Sequence, residues 1–342
     1  MYMELFSDNL KKDDKISIGN TLYELTEEYR DDSKNVFFRR LKINVNAAKN
    51  DGDTVRIALM SDPRFNSCDI RDLSDPELQY TFSKRTELAF GESAESVDNA
   101  LDFIKALGNI DKTIVTGNLC DYLSHGALTL VKRHILSAGL NVTAVPGRTD
   151  FTKRTGTHTF DTTPLSERVN TLKAALGDDM FYRSEIIGTV MIITMINATK
   201  VRPDKGADSD KEFSGHYLLS QKEALIKDLD FARKNELSVL IFESEPLFSA
   251  VCDINSVSVS DNSETELNFN NLIGNRDSDT VTDREIYSLI SDGADVIKGV
   301  FCGADEFYMT KISGNNGEIL QITAEPVVKH TPVGSLLIIE IG

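Results

Sequence analysis

The chain has 342 residues, 40% of them hydrophobic and only 8 of them proline, enough to bury a full core and unlike a disordered segment. Its 54 acidic against 37 basic residues give a formal charge of −17, a field that repels phosphate backbones and anionic lipid. No nucleic-acid partner and no membrane partner is therefore expected. Cys68, Cys120, Cys252 and Cys302 form no Cys-x-x-Cys pair, which argues against a zinc knuckle or disulfide scaffold and for reduced, mostly buried thiols. No apolar run reaches the roughly 18 residues of a membrane span, and Met1–Leu10 lacks a signal-peptide core. The chain reads as cytoplasmic, or as exported after loss of a leader.

Residues 1–52 are charged and mixed, and read as an N-terminal extension packed on a main domain over 53–342, with a short helix around Leu22–Tyr29. Val55–Ser61 is β-rich and ends at Asp62-Pro63, as a buried strand entering a loop does. A polar loop is expected from there to about Gly91. Ala94–Leu107 puts Val97, Leu101 and Ile104 on one face, with Ser93 as N-cap and Gly108 as the stop, so it predicts an amphipathic helix. Lys112–Thr116 reads as a strand, Ala127–Ser137 as a helix and Asn141–Val145 as a strand. That alternation builds a parallel α/β sheet. The second half repeats it: strand Gly188–Met195, helix Gln221–Arg233, strand Leu237–Phe242, helix Arg284–Ile290, strand Val296–Phe301. Phe307–Ile312, Ile319–Thr323 and Ser335–Ile341 look like antiparallel strands, and residues 252–282, rich in Ser, Asn and Asp, like a surface insertion. The expected fold is α/β: a single two-sheet sandwich flanked by helices.

In parallel α/β sheets, ligands gather at the loops beyond the carboxyl ends of the strands. Those loops are Ser61-Asp-Pro-Arg-Phe65, Thr116-Gly-Asn-Leu-Cys-Asp-Tyr122, Val145-Pro-Gly-Arg-Thr-Asp-Phe151, Phe242-Glu-Ser-Glu-Pro-Leu247 and Phe301-Cys-Gly-Ala-Asp-Glu-Phe307. In order and spacing they resemble the metal motifs of the calcineurin-like metallophosphoesterases, the family of the purple acid phosphatases: D-x-H, G-D-x-x-D, G-N-H-[DE], H-x-P and G-H-x-H. "VTGNLCDY" is similar to a family-like "VTGDLxDY", and "AVPGRTDF" to "AVPGNHDF". The resemblance covers residues 55–342 and implies a four-layer αββα sandwich of two mixed sheets.

The departures fall on the ligands. Asp62 is present, but Arg64 replaces the first His, Asn118 the bridging Asp, and Arg148-Thr149 the Asn-His pair. Ser244 stands for the His of the fourth motif, and Ala304 and Glu306 for those of the fifth. Asp121 and Asp150 match, in places where the family uses them mainly as loop supports. The five histidines, His125, His134, His158, His216 and His330, lie outside every motif and read as surface or packing residues.

The mechanism implied by resemblance uses two ions of Fe, Zn or Mn about 3.5–4 Å apart to polarise a phosphoryl oxygen and generate hydroxide. Here the bridge is an uncharged amide, and the acid position holds Thr149, whose hydroxyl is a poor proton donor near neutral pH. No cofactor is expected. Asp62, Asn118 and Glu306, with Asp305 or Glu245, could hold at most one Mg²⁺ or Ca²⁺. Arg64 and Arg148 are fixed cations, expected to neutralise Asp62 and Glu306 or else to point to solvent over a collapsed pocket. Arg64, Asn118, Arg148 and Ser244 are the anion-binding candidates, with the backbone N–H groups at Gly117 and Gly147. The functional reading is a pseudophosphatase binding a phosphate-like anion or a protein partner. Two alternatives stay open: an active phosphoesterase with a residual or mononuclear metal site, and a structural subunit of a complex.

Overall fold

Thr21, Tyr23 and Leu25 are buried while the residues between them are less so. That period of two makes Thr21–Asp31 a strand, where a helix over Leu22–Tyr29 was expected. Glu28, Tyr29 and Arg30 lie on its more open stretch.

The computed structural model describes residues 2–6, 12–45, 54–91, 93–153, 165–197, 217–247, 280–281, 283–314 and 317–342. In chain order the elements are β1 (Tyr2–Phe6), β2 (Lys15–Ile18), β3 (Thr21–Asp31), β4 (Val36–Asn44), β5 (Val55–Ser61), α1 (Pro76–Phe90), α2 (Ser93–Leu107) and β6 (Lys112–Thr116). There follow α3 (His125–Leu130) running into a π-helical turn (Val131–Leu136), β7 (Val142–Ala144), α4 (Leu165–Leu176), β8 (Tyr182–Ile187) and β9 (Val190–Met195). The rest are β10 (Tyr217–Leu218), α5 (Leu219–Lys234), β11 (Ser238–Glu243), β12 (Thr280–Val281), α6 (Asp283–Asp292), β13 (Ile297–Gly303), β14 (Met309–Gly314), β15 (Gly317–Ala324) and β16 (Gly334–Ile341).

Two seven-stranded mixed sheets carry the molecule, in the orders β1-β14-β15-β13-β11-β9-β8 and β2-β3-β4-β16-β5-β6-β7, with β10 and β12 as a separate ribbon. Within them β5, β6 and β7 are mutually parallel, as are β9, β11 and β13. The segment read as an extension supplies β1 to one sheet and β2, β3 and β4 to the other. The three tail strands divide between the sheets. β14 and β15 form an antiparallel hairpin, whereas β16 enters the other sheet, parallel to β4 and antiparallel to β5.

Alternation in the central strands explains their unbroken apolar runs. In β9 and β11, Met191, Ile193, Val239 and Ile241 join a cluster under α5 and α6 with Leu225, Leu229, Ile286 and Ile290. Their neighbours Ile192, Leu240 and Phe242 join the larger core with Leu59, Phe301 and Ile322. A strand covered on both faces needs no polar face. On the far side α2 lies on β4 and β16, with Phe38 and Phe103 in ring contact at 4.9 Å. The layers are therefore helix, sheet, sheet, helix.

The polar stretch after Pro63 is not all loop, because Asp75 caps α1 by accepting the Glu77 N–H at 2.9 Å, with Pro76 in the first turn. Residues 252–282 lie outside the described residues except for Thr280–Val281 in β12. No helix among the described residues is long and apolar enough to cross a membrane.

Candidate functional site

Asp62 sits one residue past the end of β5, 4% exposed, with φ of +48°. Arg64, two residues on, has φ of +50°. Two non-glycine residues in the left-handed region around one proline form a sharp turn, and such strain persists only where surroundings enforce it. Here the neighbouring loop does so: Asp62 N–H donates to Thr116 O at 2.9 Å, Arg64 N–H to Asn118 O at 2.9 Å and Phe65 N–H to Leu119 O at 2.8 Å. The turn aims the Asp62 carboxylate inward and folds the Arg64 side chain back over it.

One carboxylate oxygen, Oδ1, accepts the backbone N–H of Asn118 at 3.1 Å and its Nδ2 at 2.9 Å, and lies 3.6 Å from Arg64 Nη2. The other, Oδ2, faces glycines. A Cβ built on either Gly117, at φ +78°, or Gly303 would stand 2.5 Å from it. These two glycines allow the second and fifth loops to close on Asp62. Asn118 then turns its carbonyl the other way, and Oδ1 accepts the Thr149 N–H at 2.9 Å. Its amide is donor on one side and acceptor on the other, so it ties the first, second and third loops together. The fourth loop is joined by Arg148, whose Nε lies 3.7 Å from Glu245 Oε1. All five loops meet at one end of the two sheets.

Asp150 holds the second and third loops in register. Fully buried, it accepts N–H bonds from Cys120 at 2.7 Å, Leu119 at 3.0 Å and Gly147 at 2.7 Å. Burial pushes its carboxyl up to about 7, against the pull of those donors toward the charged form. Burial likewise raises Asp62, opposed by the Arg64 charge and the Asn118 hydrogen bonds. Asp121 pairs with Arg85 at 2.7 Å.

Several expected contacts are redistributed. Arg64 pairs with Asp62 and, at 3.4 Å, with Asp305 at the surface. Arg148 does not reach Glu306. That glutamate points outward, 62% exposed, and pairs with Lys329, so it is not gathered with Asp62 and Asn118. Ser244 is buried and its hydroxyl is used internally, donating to Asn197 Oδ1 at 2.9 Å and accepting Asn197 N–H at 3.2 Å, which removes it from the anion candidates. The Thr149 hydroxyl donates to Cys120 O.

Asn197 was missed. It lies just past β9, and its Nδ2 donates to the buried Glu243 at 3.1 Å and to Glu245 O at 2.6 Å. The rule that chose the five loops would have found it, had the strand end at Met195 been counted with them. Glu325, just past β15, was missed likewise; 6% exposed, it faces Arg39 at 3.2 Å, Lys329 at 3.3 Å and His330 at 3.7 Å. Among the described residues no group of three or more His, Cys, Asp or Glu is placed to hold a metal ion.

No family model and no curated protein matches the chain. Among solved structures it superposes on PhoD with a TM-score of 0.39 and 8% identity, over 91% of this chain and 63% of that one. On the sulfate thiohydrolase SoxB of Thermus thermophilus, in complex with glycerol, the TM-score is 0.33 and the identity 12%, over 83% and 58% of the two chains. The chain thus spans less than two thirds of the length of either, and the sandwich rests on its own strand order, not on these superpositions.

Proposed function

We propose that this chain is a phosphoesterase-like sandwich with a non-catalytic centre, and that its five-loop face binds a small anion or an anionic group on a protein partner. The observation that carries the reading is the Asn118 carboxamide. It stands where the resembled family has its bridging carboxylate, and it joins Asp62 to Thr149 by hydrogen bonds.

A dinuclear centre needs lone pairs, from imidazole nitrogens and a shared carboxylate. Around Asp62 the chain supplies an amide N–H, a backbone N–H and a guanidinium, groups that present hydrogens. These residues do not fit two metal ions. Arg64 supplies positive charge there, and its guanidinium cannot activate a water molecule. The exposed guanidinium of Arg148 is left as the group that would meet an incoming anion.

The test is hydrolysis of an aryl phosphate with added Mn²⁺ or Zn²⁺. The expected result is no metal-dependent rate above background; a rate that disappears in Asp62→Ala overturns the reading. The converse experiment combines Arg64→His, Asn118→Asp, Arg148→Asn, Thr149→His, Ser244→His, Ala304→His and Glu306→His. Metal uptake should then appear, and a folded variant that takes up none would remove the basis for assigning these loops.

A further inference from the structure

An open groove of about 410 Å³ lies away from the five loops. It is lined by Arg71, His125, Thr129 and Lys132 on one side and by Asn170 and Thr171 of α4 on the other, over an apolar floor of Leu128, Ala174 and Ala175. In a chain of charge −17, counted with histidine neutral, it is lined by two cations, Arg71 and Lys132, and no acidic residue. That sign is against the trend of the molecule.

The polar groups are set out in an ordered way. Asp69 grips the Arg71 guanidinium through Nε and Nη2, and Nη2 also donates to Thr129 Oγ1 at 3.1 Å. This fixes the plane of the guanidinium and leaves Nη1 with no partner among the described residues. Neither Lys132 Nζ nor the Asn170 carboxamide has one there either. Asp72, a second carboxylate beside Arg71, accepts the backbone N–H groups of His125 and Gly126. Lys132 belongs to the π-helical turn Val131–Leu136, in which its carbonyl accepts the Ser137 N–H at 3.0 Å. Such turns re-aim side chains and recur at functional sites.

We infer that this groove is a binding site for a small organic anion, a phosphate or carboxylate carried on an apolar body. The anionic end would meet Arg71, Lys132 and Asn170, and the apolar end would lie on Leu128, Ala174 and Ala175. A groove of this size suits a ligand of small-molecule dimensions. The inference does not depend on whether the five-loop centre is catalytic.

Phenyl phosphate is the probe, followed by amide chemical shifts and by thermal shift on the whole chain. The expected result is saturable binding that moves the amides of Thr129, Lys132 and Thr171. Binding should weaken roughly tenfold or more in the double variant Arg71→Gln, Lys132→Glu, since charge-assisted bonds carry it. Both substituted side chains are exposed, and an unchanged circular dichroism spectrum establishes that the variant is folded. A second variant, Ala174→Trp, fills the floor and should abolish binding while leaving both cations and adding none. No saturable binding at millimolar probe overturns the assignment, as does a double variant that binds like the parent. If Arg148→Glu abolishes binding and the double variant does not, the anion sits at the five loops and the groove is no site.

Discussion

Asn118 and Asp150 show what single atoms decide at the centre. With Asp at 118, an oxygen would replace the Nδ2 that now stands 2.9 Å from Asp62 Oδ1, setting two carboxylates against each other. Asn118→Asp alone is therefore expected to cost about 1–3 kcal/mol of stability at pH 8, and much less at pH 5, where the pair can share a proton; urea unfolding at the two values checks this. Asp150 bears on pH directly. Its carboxyl, raised to about 7 in the folded chain, binds protons more tightly than in the unfolded chain. The stability it contributes is full below the ordinary carboxylate value and falls as the pH climbs toward 7. Asp150→Asn should flatten that part of the profile. It should also lower the whole curve by roughly 1–3 kcal/mol, because an amide cannot accept from all three backbone N–H groups.

Elements place those atoms, and the glycines at strand ends set how closely the elements approach. Gly303 ends β13 against Asp62, so Gly303→Ala, whose Cβ would also lie 2.9 Å from Ser61 Cβ, should cost about 1–3 kcal/mol as overpacking. A shift in the Asp62 environment, read by carboxylate NMR, should accompany the loss in the denaturation midpoint. Phe242→Ala removes a fully buried ring stacked on Phe301 at 5.1 Å and should cost about 3–5 kcal/mol. Elements of this kind were legible from sequence: the apolar strands β5, β6, β11 and β13, each opening onto a loop with a turn signal, the apolar run of β9, and α2 with its periodic face. β3 was misread because its outer half carries Glu27 and Glu28, so only Thr21, Tyr23 and Leu25 alternate cleanly. α1 was missed because, among its described side chains, the buried Phe82 stands amid mostly polar residues. Asn197 and Glu325 follow strand ends that were not counted with the five loops, and their pairing with Glu243 and Arg39 depends on how loops cross in space, which spacing along the chain does not encode.

The whole molecule is one sandwich whose N-terminal strands cannot be peeled away. Tyr23 hydroxyl reaches Lys298 O at 2.7 Å across the sheets, and Arg40 links Glu27 on β3 with Glu340 on β16. A chain lacking residues 1–52 would leave β16 with a bare edge and uncover the part of the first sheet, around β13 and β15, that β2 and β3 face. It is expected to show no cooperative unfolding transition, which circular dichroism on heating would reveal.

The position of β16 has a consequence for synthesis. β16 lies between β4 and β5, two strands made long before it. Until Ile341 emerges, those two have no bridge between them, and the nascent sheet exists as halves. Closing this sheet is therefore a late step of folding, and a chain cut before Gly334 would be left with its seam open.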